Sequence, residues 1–411
     1  MQQHVLIIVQ NLPVPLDRRV WLECRALIDA GYRVSVICPK GDGDPDFEVI
    51  DGVRVHKYDP PPPASGIATF GYEFAYCLEQ TRRRLQAVHR VEPIDAVQAC
   101  NPPDTFFLLM RGLRRRGVRY VFDQHDLCPE VYAARFADPK EPVLRTLLWL
   151  ERGTYRAADH VIATNESFKA VAMERGSLTS EDVTVVRSGP KAATMRRGAP
   201  DPTAKAGRRY LCAYLGIMGP QDGVDLALRS ADILVNQRGR DDVQFAFMGF
   251  GDCYDDLRAT ATELGLDDYV TFTGRADDKV ISRYLSTADL GISPDPKNAM
   301  NDRSTMNKTL EYMAFELPVV SFDLHETKVS AGPAALYVGD NDVAAYADAI
   351  EELLADPRRR ATMGAAGRQR IEDSLSWETS ARAYVGVYDR LFGESRSASS
   401  AAVATSAPTA G

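Results

Sequence analysis

Short runs of apolar residues alternate with segments of helical periodicity along most of the chain. The first run, 5–9, is typical of a buried strand, and the amphipathic segment after it ends at Gly31, a residue suited to a helix C-terminus. The same alternation continues to residue 187 and starts again at 210. Because strands that alternate with helices form parallel sheets covered on both faces, the pattern predicts an α/β fold.

The individual elements follow from the length and period of each apolar segment. The pattern predicts strands at 5–9, 34–38, 53–58, 96–100, 120–124, 160–164, 183–187, 210–215, 243–248, 270–273, 290–293, 319–322 and 336–338. It predicts helices at 17–30, 72–90, 104–116, 142–157, 166–175, 223–238, 253–264, 279–288, 305–315, 343–355, 357–373 and 377–392.

The alternation is interrupted once, by a segment rich in Gly, Pro, Ala and basic residues. With 411 residues, the chain suits two domains. We therefore expect two tandem Rossmann-like, doubly wound domains facing a central cleft, since ligands of such sheets bind outside the carboxyl ends of the strands. The expected division is a first domain, a linker, a second domain, a helix that packs back on the first domain, and a disordered tail, at 1–189, 190–208, 209–376, 377–393 and 394–411.

The charge balance argues against a nucleic-acid-binding protein. The chain has 57 acidic and 49 basic residues, for a net charge of −8, whereas nucleic-acid binders are usually basic. Arginine clusters at 82–84 and 114–116 stand out locally. Two interpretations of these clusters remain open. The arginines contact anionic lipid or an anionic acceptor, or they belong to an ordinary solvated helix face.

The cysteines and the apolar runs bear on metal sites and location. The seven cysteines are scattered with no Cys-x-x-Cys pair, which indicates reduced thiols and predicts neither a disulfide framework nor a metal site. The run at 5–9 is too short for a signal peptide or a membrane span, and no later run is longer than a strand or helix core requires. We expect a cytoplasmic protein, with peripheral contact at the inner membrane face left open.

The segment 301–320 is the most informative for chemistry. Ser304 and Thr305 are residues that cap helices, and the backbone N–H groups of a helix start attract anions. Lys308 adds a positive charge in the first turn, and Glu311 follows on the same helical face, where a carboxylate can accept hydrogen bonds from ribose hydroxyls. The alternative is an ordinary capped helix with a Lys308–Glu311 surface pair.

A second candidate lies at the end of the strand 120–124. His125 follows this strand directly, at the edge where ligands of parallel sheets bind. The alternative for His125 is a hydrogen-bonded loop histidine. Asp126 and Glu130 are carboxylates nearby. No phosphate-binding Gly-Lys-Ser/Thr loop and no complete dinucleotide fingerprint is found in the sequence.

The chain resembles the GT4 family of retaining glycosyltransferases, which has the GT-B fold. The run Glu311-Tyr-Met-Ala-Phe-Glu-Leu-Pro-Val-Val is similar to the family pattern Glu-Ala-Met-Ala-x-Gly-x-Pro-Val-Val. The resemblance extends over about 4–392, and its further motifs lie at 19–31, 123–126, 215–225, 248–252 and 270–274.

This resemblance implies roles for individual residues. Glu311 is expected to hold the donor ribose, and His125 to lie near the donor sugar. Lys308, His125 and Glu311 are the expected catalytic residues. The remaining donor-binding residues are expected to contact the base and the diphosphate, and they are Gly216, Gly249, Gly274, Arg275, Arg303, Ser304, Thr305 and Asn307.

Three positions depart from the family pattern. Ile217 and Asp222 stand where the family has a donor-binding Arg and Lys, and Arg303 stands where it has the first acid of a Glu pair. The diphosphate charge must therefore be met by other cations, and Lys308 and Arg303 are the expected substitutes, with Arg18 or Arg19 as further options. A known GT4 subgroup has a Lys three residues before the Glu, which favours replacement over loss of activity.

The resemblance implies a hexosyl or related transfer with retention of configuration, from a nucleotide-diphosphate donor. A UDP-sugar is favoured, no metal or other cofactor is expected, and the acceptor is a glycan, a lipid-linked glycoconjugate of the cell envelope or a small molecule. The first domain would bind the acceptor and the second the donor. Two alternatives remain: a nucleotide-sugar epimerase using His125, Asp126 and Glu130, and an inactive nucleotide-sugar-binding subunit, suggested by Ile217 and Asp222.

Overall fold

The structure is a computed structural model that describes residues 2–62, 67–136 and 138–404. The chain folds into two units. The first comprises Met1–Pro129, Pro139–Arg187 and Ser380–Gly411, and the second comprises Glu130–Asp138 and Ser188–Thr379. The first unit is therefore built from three separate segments of the chain.

Eight strands form the sheet of the first unit. They are β1 His4–Ile8, β2 Arg33–Pro39, β3 Phe47–Ile50, β4 Val53–Tyr58, β5 Ala96–Cys100, β6 Arg119–Gln124, β7 His160–Ala163 and β8 Val183–Val185. Their order is β3-β4-β2-β1-β5-β6-β7-β8, and all neighbouring strands are parallel except the antiparallel pair β3–β4. Helices of the chain up to residue 187 are α1 Arg18–Asp29, α2 Ile67–Val91, α3 Phe107–Arg114, α4 Cys128–Arg135, α5 Glu141–Ala157 and α6 Glu166–Gly176.

Six parallel strands form the sheet of the second unit. They are β9 Tyr210–Leu215, β10 Val243–Met248, β11 Val270–Gly274, β12 Leu290–Ser293, β13 Val319–Phe322 and β14 Ala335–Val338, in the order β11-β10-β9-β12-β13-β14. The helices are α7 Val224–Asp232, α8 Tyr254–Glu263, α9 Asp278–Thr287, α10 Asn307–Ala314, α11 His325–Ala331, α12 Val343–Ala355 and α13 Pro357–Arg370.

Both sheets are doubly wound, as the sequence predicts. In each sheet the chain starts in the middle, moves to one edge, returns and moves to the other edge, so strand order reverses between β1 and β5 and between β9 and β12. Most strand residues are buried on both faces, because helices cover both sides of each sheet. The places where ligands of such sheets bind are the carboxyl ends of the strands on either side of these reversals.

The structure differs from the predicted elements chiefly at four places. The strand β3 was not predicted, because its residues alternate between exposed and half-buried and form no apolar run. The helix predicted at 305–315 begins only at Asn307, because the preceding residues form a separate 3₁₀ turn, Asn301–Arg303. The short helices α4 and α11 were not predicted, since each is too short to show a clear apolar period. The final helix, α14 Trp377–Ala404, continues past 393 into the predicted disordered tail, where the many alanines favour helix; residues 405–411 lie outside the described part.

The predicted linker is hydrogen-bonded within the second unit, and the final helix is hydrogen-bonded within the first. Residues of the predicted linker bind the second unit: Arg197 donates to the carbonyl oxygen of Ala288 at 2.9 Å, and Arg368 donates to that of Met195 at 2.8 Å. In the first unit, Tyr384 and Tyr388 of α14 both donate to Gln98 Oε1 within β5, at 2.7 and 2.5 Å. The final helix is thus hydrogen-bonded to the centre of the first sheet.

Candidate functional site

The ends of three neighbouring strands of the second unit are joined by backbone hydrogen bonds. Gly216 N–H donates to the carbonyl oxygen of Met248, and Gly249 N–H to that of Gly274, each at 3.0 Å. A Cβ atom at Gly249 would lie 1.8 Å from the carbonyl oxygen of Gly216, so only glycine fits there. The predicted site residues Gly216, Gly249 and Gly274 therefore lie side by side at the carboxyl edge of the sheet, where a ligand can approach the backbone closely.

The helix α10 is fixed at the same edge by Tyr312. The Tyr312 hydroxyl accepts a hydrogen bond from Leu215 N–H at 2.8 Å and donates to the carbonyl oxygen of Ile292 at 3.1 Å, which ties α10 to β9 and β12. A Cβ atom at Gly291 would lie 2.3 Å from the Tyr312 ring, so the strand must have glycine for the helix to pack this closely. This packing sets the position of the first turn of α10.

Lys308 lies in that first turn, and its side chain is 8 % exposed. Its Nζ atom is 2.5 Å from Asp295 Oδ1 and 3.8 Å from Asp222 Oδ1, and lies 5.1 Å from the centre of the Tyr214 ring. Burial disfavours the charge, but Asp295 and Asp222 outweigh burial and raise the pKa of the Lys308 ammonium above its usual value. Because Lys308 is buried beside two carboxylates, the alternative of a solvated Lys308–Glu311 surface pair is wrong.

Asp222 is held next to Lys308 by a tight turn before α7. Gly219 N–H donates to Asp222 Oδ2 at 2.9 Å. Gly223 follows with a φ of 65°, and a Cβ there would lie 2.1 Å from the carbonyl oxygen of Pro294. Burial raises the pKa of the Asp222 carboxyl to about 6, with Lys308 opposing the rise and Asp295 adding to it. Two carboxyl groups thus share one ammonium.

The residues just before α10 take positions different from those the sequence predicts. The N-cap residue is Met306, with no side-chain cap among the described residues, so the capping role expected for Ser304 and Thr305 is wrong. The Ser304 hydroxyl instead donates to the carbonyl oxygen of Met300 at 2.8 Å, which closes the preceding turn. Asn307 is the first residue of the helix. The uncapped backbone N–H groups of this turn are available to an anion.

Three further predicted residues lie in the second unit. Glu311 is half-buried on α10, three residues after Lys308. The guanidinium of Arg275 lies 4.6 Å from the centre of the Phe250 ring, next to the end of β11. Arg303 Nη1 lies 3.4 Å from Glu130 Oε1, on a half-exposed side chain, so this expected substitute cation faces a carboxylate.

Asp295 and Tyr214 are parts of this cluster that sequence reasoning missed. Asp295 comes two residues after the buried strand β12 and also accepts a hydrogen bond from Ser293 Oγ at 2.6 Å. A carboxylate directly after a buried parallel strand is a signal that could have found it. Tyr214 lies within β9 and has no such signal.

In the first unit, His125 follows β6, and its backbone is fixed by Asn101. The Asn101 side chain accepts hydrogen bonds from His125 N–H at 2.7 Å and from Asp126 N–H at 3.1 Å. Its amide nitrogen donates to Asp104 Oδ1 at 2.9 Å. The loops that follow β5 and β6 are therefore joined through one buried asparagine side chain.

The His125 ring faces a buried group of charges. His125 Nε2 lies 2.7 Å from Asp123 Oδ2 and 3.0 Å from Arg19 Nε. Arg19 also donates to Asp123 Oδ1 at 2.7 Å, and its Nε lies 3.1 Å from Glu23. Burial opposes ionisation of Asp123, but Arg19 and His125 outweigh it and lower the pKa of that carboxyl, whereas burial and Asp123 raise the pKa of Glu23 well above its usual value. Arg19 is thus held by this network, with its guanidinium paired to two carboxylates.

This group also contains a set of atoms with metal-ligand chemistry. One ligand atom each from Glu23, Cys100, Asp123 and His125 lies within 4.8 Å of the others. The Arg19 guanidinium already contacts Glu23, Asp123 and His125 and supplies a positive charge there. Burial raises the pKa of the Cys100 thiol well above its usual value, which disfavours the thiolate that binds metals. The residues present fit a guanidinium better than a metal ion.

Comparison with known proteins matches both units. A model described as glycosyl transferase 4-like domain matches residues 16–189, and one described as glycosyl transferases group 1 matches 209–356. The chain belongs to the GT4 family of glycosyltransferases.

Similar members of the GT4 family act on different molecules. A GDP-mannose-dependent α-(1-6)-phosphatidylinositol monomannoside mannosyltransferase of Mycolicibacterium smegmatis is 33 % identical over 196 residues, which is 44 % of this chain and 50 % of that protein. A D-inositol 3-phosphate glycosyltransferase of Thermomonospora curvata is 26 % identical over 295 residues, 67 % of each chain. The aligned region thus spans half the length of the mannosyltransferase.

Solved structures support the GT-B fold of this GT4 chain. Sucrose-phosphate synthase of Thermosynechococcus elongatus has a TM-score of 0.75 at 20 % identity, over 96 % of this chain and 100 % of that one. At 20 % sequence identity, this similarity supports the fold alone.

The positions that depart from the GT4 pattern are all at the carboxyl edge of the second sheet: Ile217 is 48 % exposed, Asp222 lies beside Lys308, and Arg303 lies beside Glu130.

No helix within residues 2–62, 67–136 and 138–404 is both long enough and apolar enough to span a lipid bilayer.

Proposed function

We propose that the protein is a retaining glycosyltransferase that moves a hexosyl or related sugar from a nucleoside diphosphate sugar to an acceptor hydroxyl. The observation that supports this most is the buried Lys308 ammonium at the amino end of α10, next to the glycine-only strand end at Gly216 and Gly249. A diphosphate needs positive charge together with backbone that it can approach closely, and this edge offers both. Membership in the GT4 family supports the same activity.

The reaction requires no covalent intermediate with the protein. The bond between the anomeric carbon and the diphosphate oxygen breaks, and the acceptor oxygen bonds to that carbon from the face the diphosphate leaves. The acceptor proton passes to an oxygen of the departing diphosphate. Lys308 and the uncapped N–H groups of α10 stabilise the negative charge that grows on the leaving group.

The remaining roles follow from position and from the resemblance. Glu311, half-buried one turn after Lys308, accepts hydrogen bonds from the ribose hydroxyls, and the Gly274–Arg275 turn contacts the base. His125, oriented by Asp123 and Arg19, serves the donor sugar. The reaction requires no metal in this proposal, because Lys308 and the helix supply the positive charge.

The proposal also names a class of donor and a class of acceptor. The sequence favours a UDP-sugar, while a relative 33 % identical carries GDP-mannose and a phosphatidylinositol mannoside in its name. Both donors therefore enter the test. A lipid-linked glycoconjugate of the cell envelope is the proposed acceptor class, supported by that relative and by the inositol phosphate glycosyltransferase.

The test is thermal stabilisation by UDP, GDP, ADP and TDP and by their sugars. We expect one nucleoside diphosphate to raise the melting temperature of the protein by several degrees at ~100 Kd, since it binds the folded state only. Lys308→Met and Glu311→Ala are expected to abolish this rise. Lys328→Met is the matched control, because Lys328 is half-exposed and paired with Asp323 on the surface of the same unit. An undiminished rise in both site variants would refute the site.

The epimerase alternative is distinguished by incubating the identified donor without an acceptor. A transferase leaves the sugar configuration unchanged, whereas an epimerase yields the isomeric nucleotide sugar. The family models and relatives described above are glycosyltransferases, which disfavours the epimerase. Binding of the donor without transfer to any acceptor extract would instead support the inactive-subunit alternative.

A further inference from the structure

The helix α5 of the first unit has one exposed face made of arginines and a tryptophan. Arg145, Trp149, Arg152 and Arg156 follow each other at intervals of four, three and four residues, so they lie in one stripe along the helix. All four are exposed, and Trp149 is 62 % exposed. A tryptophan this exposed is unusual, because its large apolar ring is normally covered.

The neighbouring helix α3 has a similar stripe. Leu108, Arg111 and Arg115 follow at intervals of three and four residues, and all are exposed, as is Arg116 after the helix end. Leu108 is 49 % exposed. The two helices thus present the same combination of apolar and basic side chains.

The two stripes form one surface, since α3 and α5 pack side by side against β6. The Phe107 ring of α3 lies 6.5 Å from the Trp149 ring, centre to centre. It also packs against Gly153, where a Cβ atom would lie 2.7 Å from the ring. We call the surface formed by Leu108, Arg111, Arg115, Arg116, Arg145, Trp149, Arg152 and Arg156 the α3–α5 face.

The charges of the α3–α5 face are not neutralised. Its six guanidinium groups form no ion pair with any residue that the structure describes. The arginines at 82–84 differ: Arg82 and Arg83 both pair with Glu79, at 2.6 and 2.7 Å. Of the cluster at 114–116, Arg115 and Arg116 therefore contribute to a basic surface without ion pairs, while Arg114 pairs with Asp159; at 82–84, Arg82 and Arg83 share the carboxylate of Glu79.

We propose that the α3–α5 face binds the surface of an anionic lipid bilayer. Arginines attract the negative headgroups, while Trp149 and Leu108 enter the boundary between headgroups and acyl chains, where tryptophan is favoured. A soluble polyanion would use the arginines but would leave Trp149 and Leu108 exposed. The apolar residues in the middle of the basic surface are therefore the reason to commit to lipid. This inference does not depend on the proposed transfer reaction.

The test is co-sedimentation of the full protein with vesicles, at about 0.1 M salt. Vesicles of phosphatidylcholine with one third phosphatidylglycerol are expected to bind the protein, and pure phosphatidylcholine vesicles much less. Arg145→Ala with Arg152→Ala should lower the partition coefficient by roughly 25-fold, about 5-fold for each arginine. High salt should weaken binding in the same way, because it screens the attraction.

Tryptophan fluorescence tests the insertion of Trp149 directly. Binding to the anionic vesicles should shift the emission to shorter wavelength, and Trp149→Phe should remove this shift while the protein still sediments with the vesicles. Trp377 is buried and Trp21 half-buried, so they contribute little to the change. Trp149→Ala should reduce sedimentation several-fold.

The control is Arg82→Ala with Arg83→Ala, which removes the same number of charges from two arginines that lie outside the α3–α5 face and share Glu79, and it should leave partitioning nearly unchanged. Equal loss in the control would show unspecific charge attraction and overturn the proposal. Absence of binding to anionic vesicles would overturn it as well. The proposal would also be overturned if the protein bound heparin and vesicles equally well and Trp149→Ala weakened neither. The face would then recognise an acidic macromolecule.

Discussion

Replacing Asp222 by Asn tests the electrostatics of the Lys308 cluster most directly. The pKa of the Asp222 carboxyl rises from 3.8 to about 6 in the folded protein, chiefly through burial. The folded state therefore holds this proton more tightly than the unfolded state, so ionisation of Asp222 costs stability as pH rises from 3.8 to about 6. At ~1.4 kcal/mol per pH unit the full cost is about 3 kcal/mol above pH 6. Asp222→Asn should remove this cost and keep the hydrogen bond from Gly219 N–H.

The same substitution should change donor binding. A phosphate charge at Lys308 would lie about 5 Å from Asp222, and at an effective dielectric constant of about 20 this repulsion is about 3 kcal/mol. Donor binding should therefore favour protonated Asp222, so that the wild-type protein takes up a proton on binding near pH 7. The dissociation constant should rise as pH increases from 6 to 8, by up to about tenfold per pH unit.

Two measurements check these values. Urea unfolding at pH 4 and pH 8 should show no gain for Asp222→Asn at pH 4 and a gain of up to about 3 kcal/mol at pH 8. Calorimetric titration with a nucleotide sugar, whose diphosphate does not titrate in this range, should show proton uptake for the wild-type protein and none for the variant. A donor affinity that changes with pH equally in both proteins would refute the reasoning, as would an Asn variant less stable at pH 8.

Three other substitutions have definite expected outcomes. Gly249→Ala places a methyl group 1.8 Å from the carbonyl oxygen of Gly216, so the strand ends must separate. We expect the free energy of unfolding in urea to fall by about 2–4 kcal/mol and the thermal shift with the donor to disappear. Unchanged donor binding would contradict the site. Arg19→Met removes the guanidinium that pairs with both Asp123 and Glu23 in the first unit, and should cost about 3–5 kcal/mol, whereas a loss below 1 kcal/mol would mean that the network contributes little. His160 has its pKa lowered from 6.5 to about 4 by burial, so its contribution to stability is present above pH 6.5 and lost as pH falls to 4. Compared with His160→Asn, the wild-type protein should lose up to about 3 kcal/mol between pH 7 and pH 4 in urea unfolding, and parallel pH curves would refute the burial argument.

The sequence predicts the fold well because its strands are buried on both faces and read as continuous apolar runs. The strand β3, which was not predicted, is the exception, since its residues alternate between exposed and half-buried at the edge of the sheet. Four further strands are only partly buried, and they are β4, β8, β11 and β14. The position of Lys308 at the start of a helix also follows from spacing. The two carboxylates beside it do not, because Asp222 and Asp295 reach Lys308 only through tertiary packing.

Local rules also failed where a turn competed with a helix. Ser304 has a capping side chain, but its hydroxyl closes the turn before α10 and the helix begins after Met306. The role of Arg19 could not be inferred from a sequence that places Asp123 about a hundred residues away. Net charge likewise gave no hint that Arg82 and Arg83 share an ion pair with Glu79 while Arg115 and Arg116 have none among the described residues.

The hydrogen bonds from Tyr384 and Tyr388 to Gln98 affect how the chain folds during synthesis and where it can be cut into stable fragments. A fragment ending at 187 would contain all eight strands of the first sheet, yet Gln98 Oε1 would lose both donors deep inside it. Such a fragment should be unstable alone and recover when a peptide of 377–393 is added. During synthesis, the second unit can finish folding while the first still waits for α14 to emerge. Chimaeras that exchange one unit between related enzymes must therefore carry this helix along with the amino-terminal half.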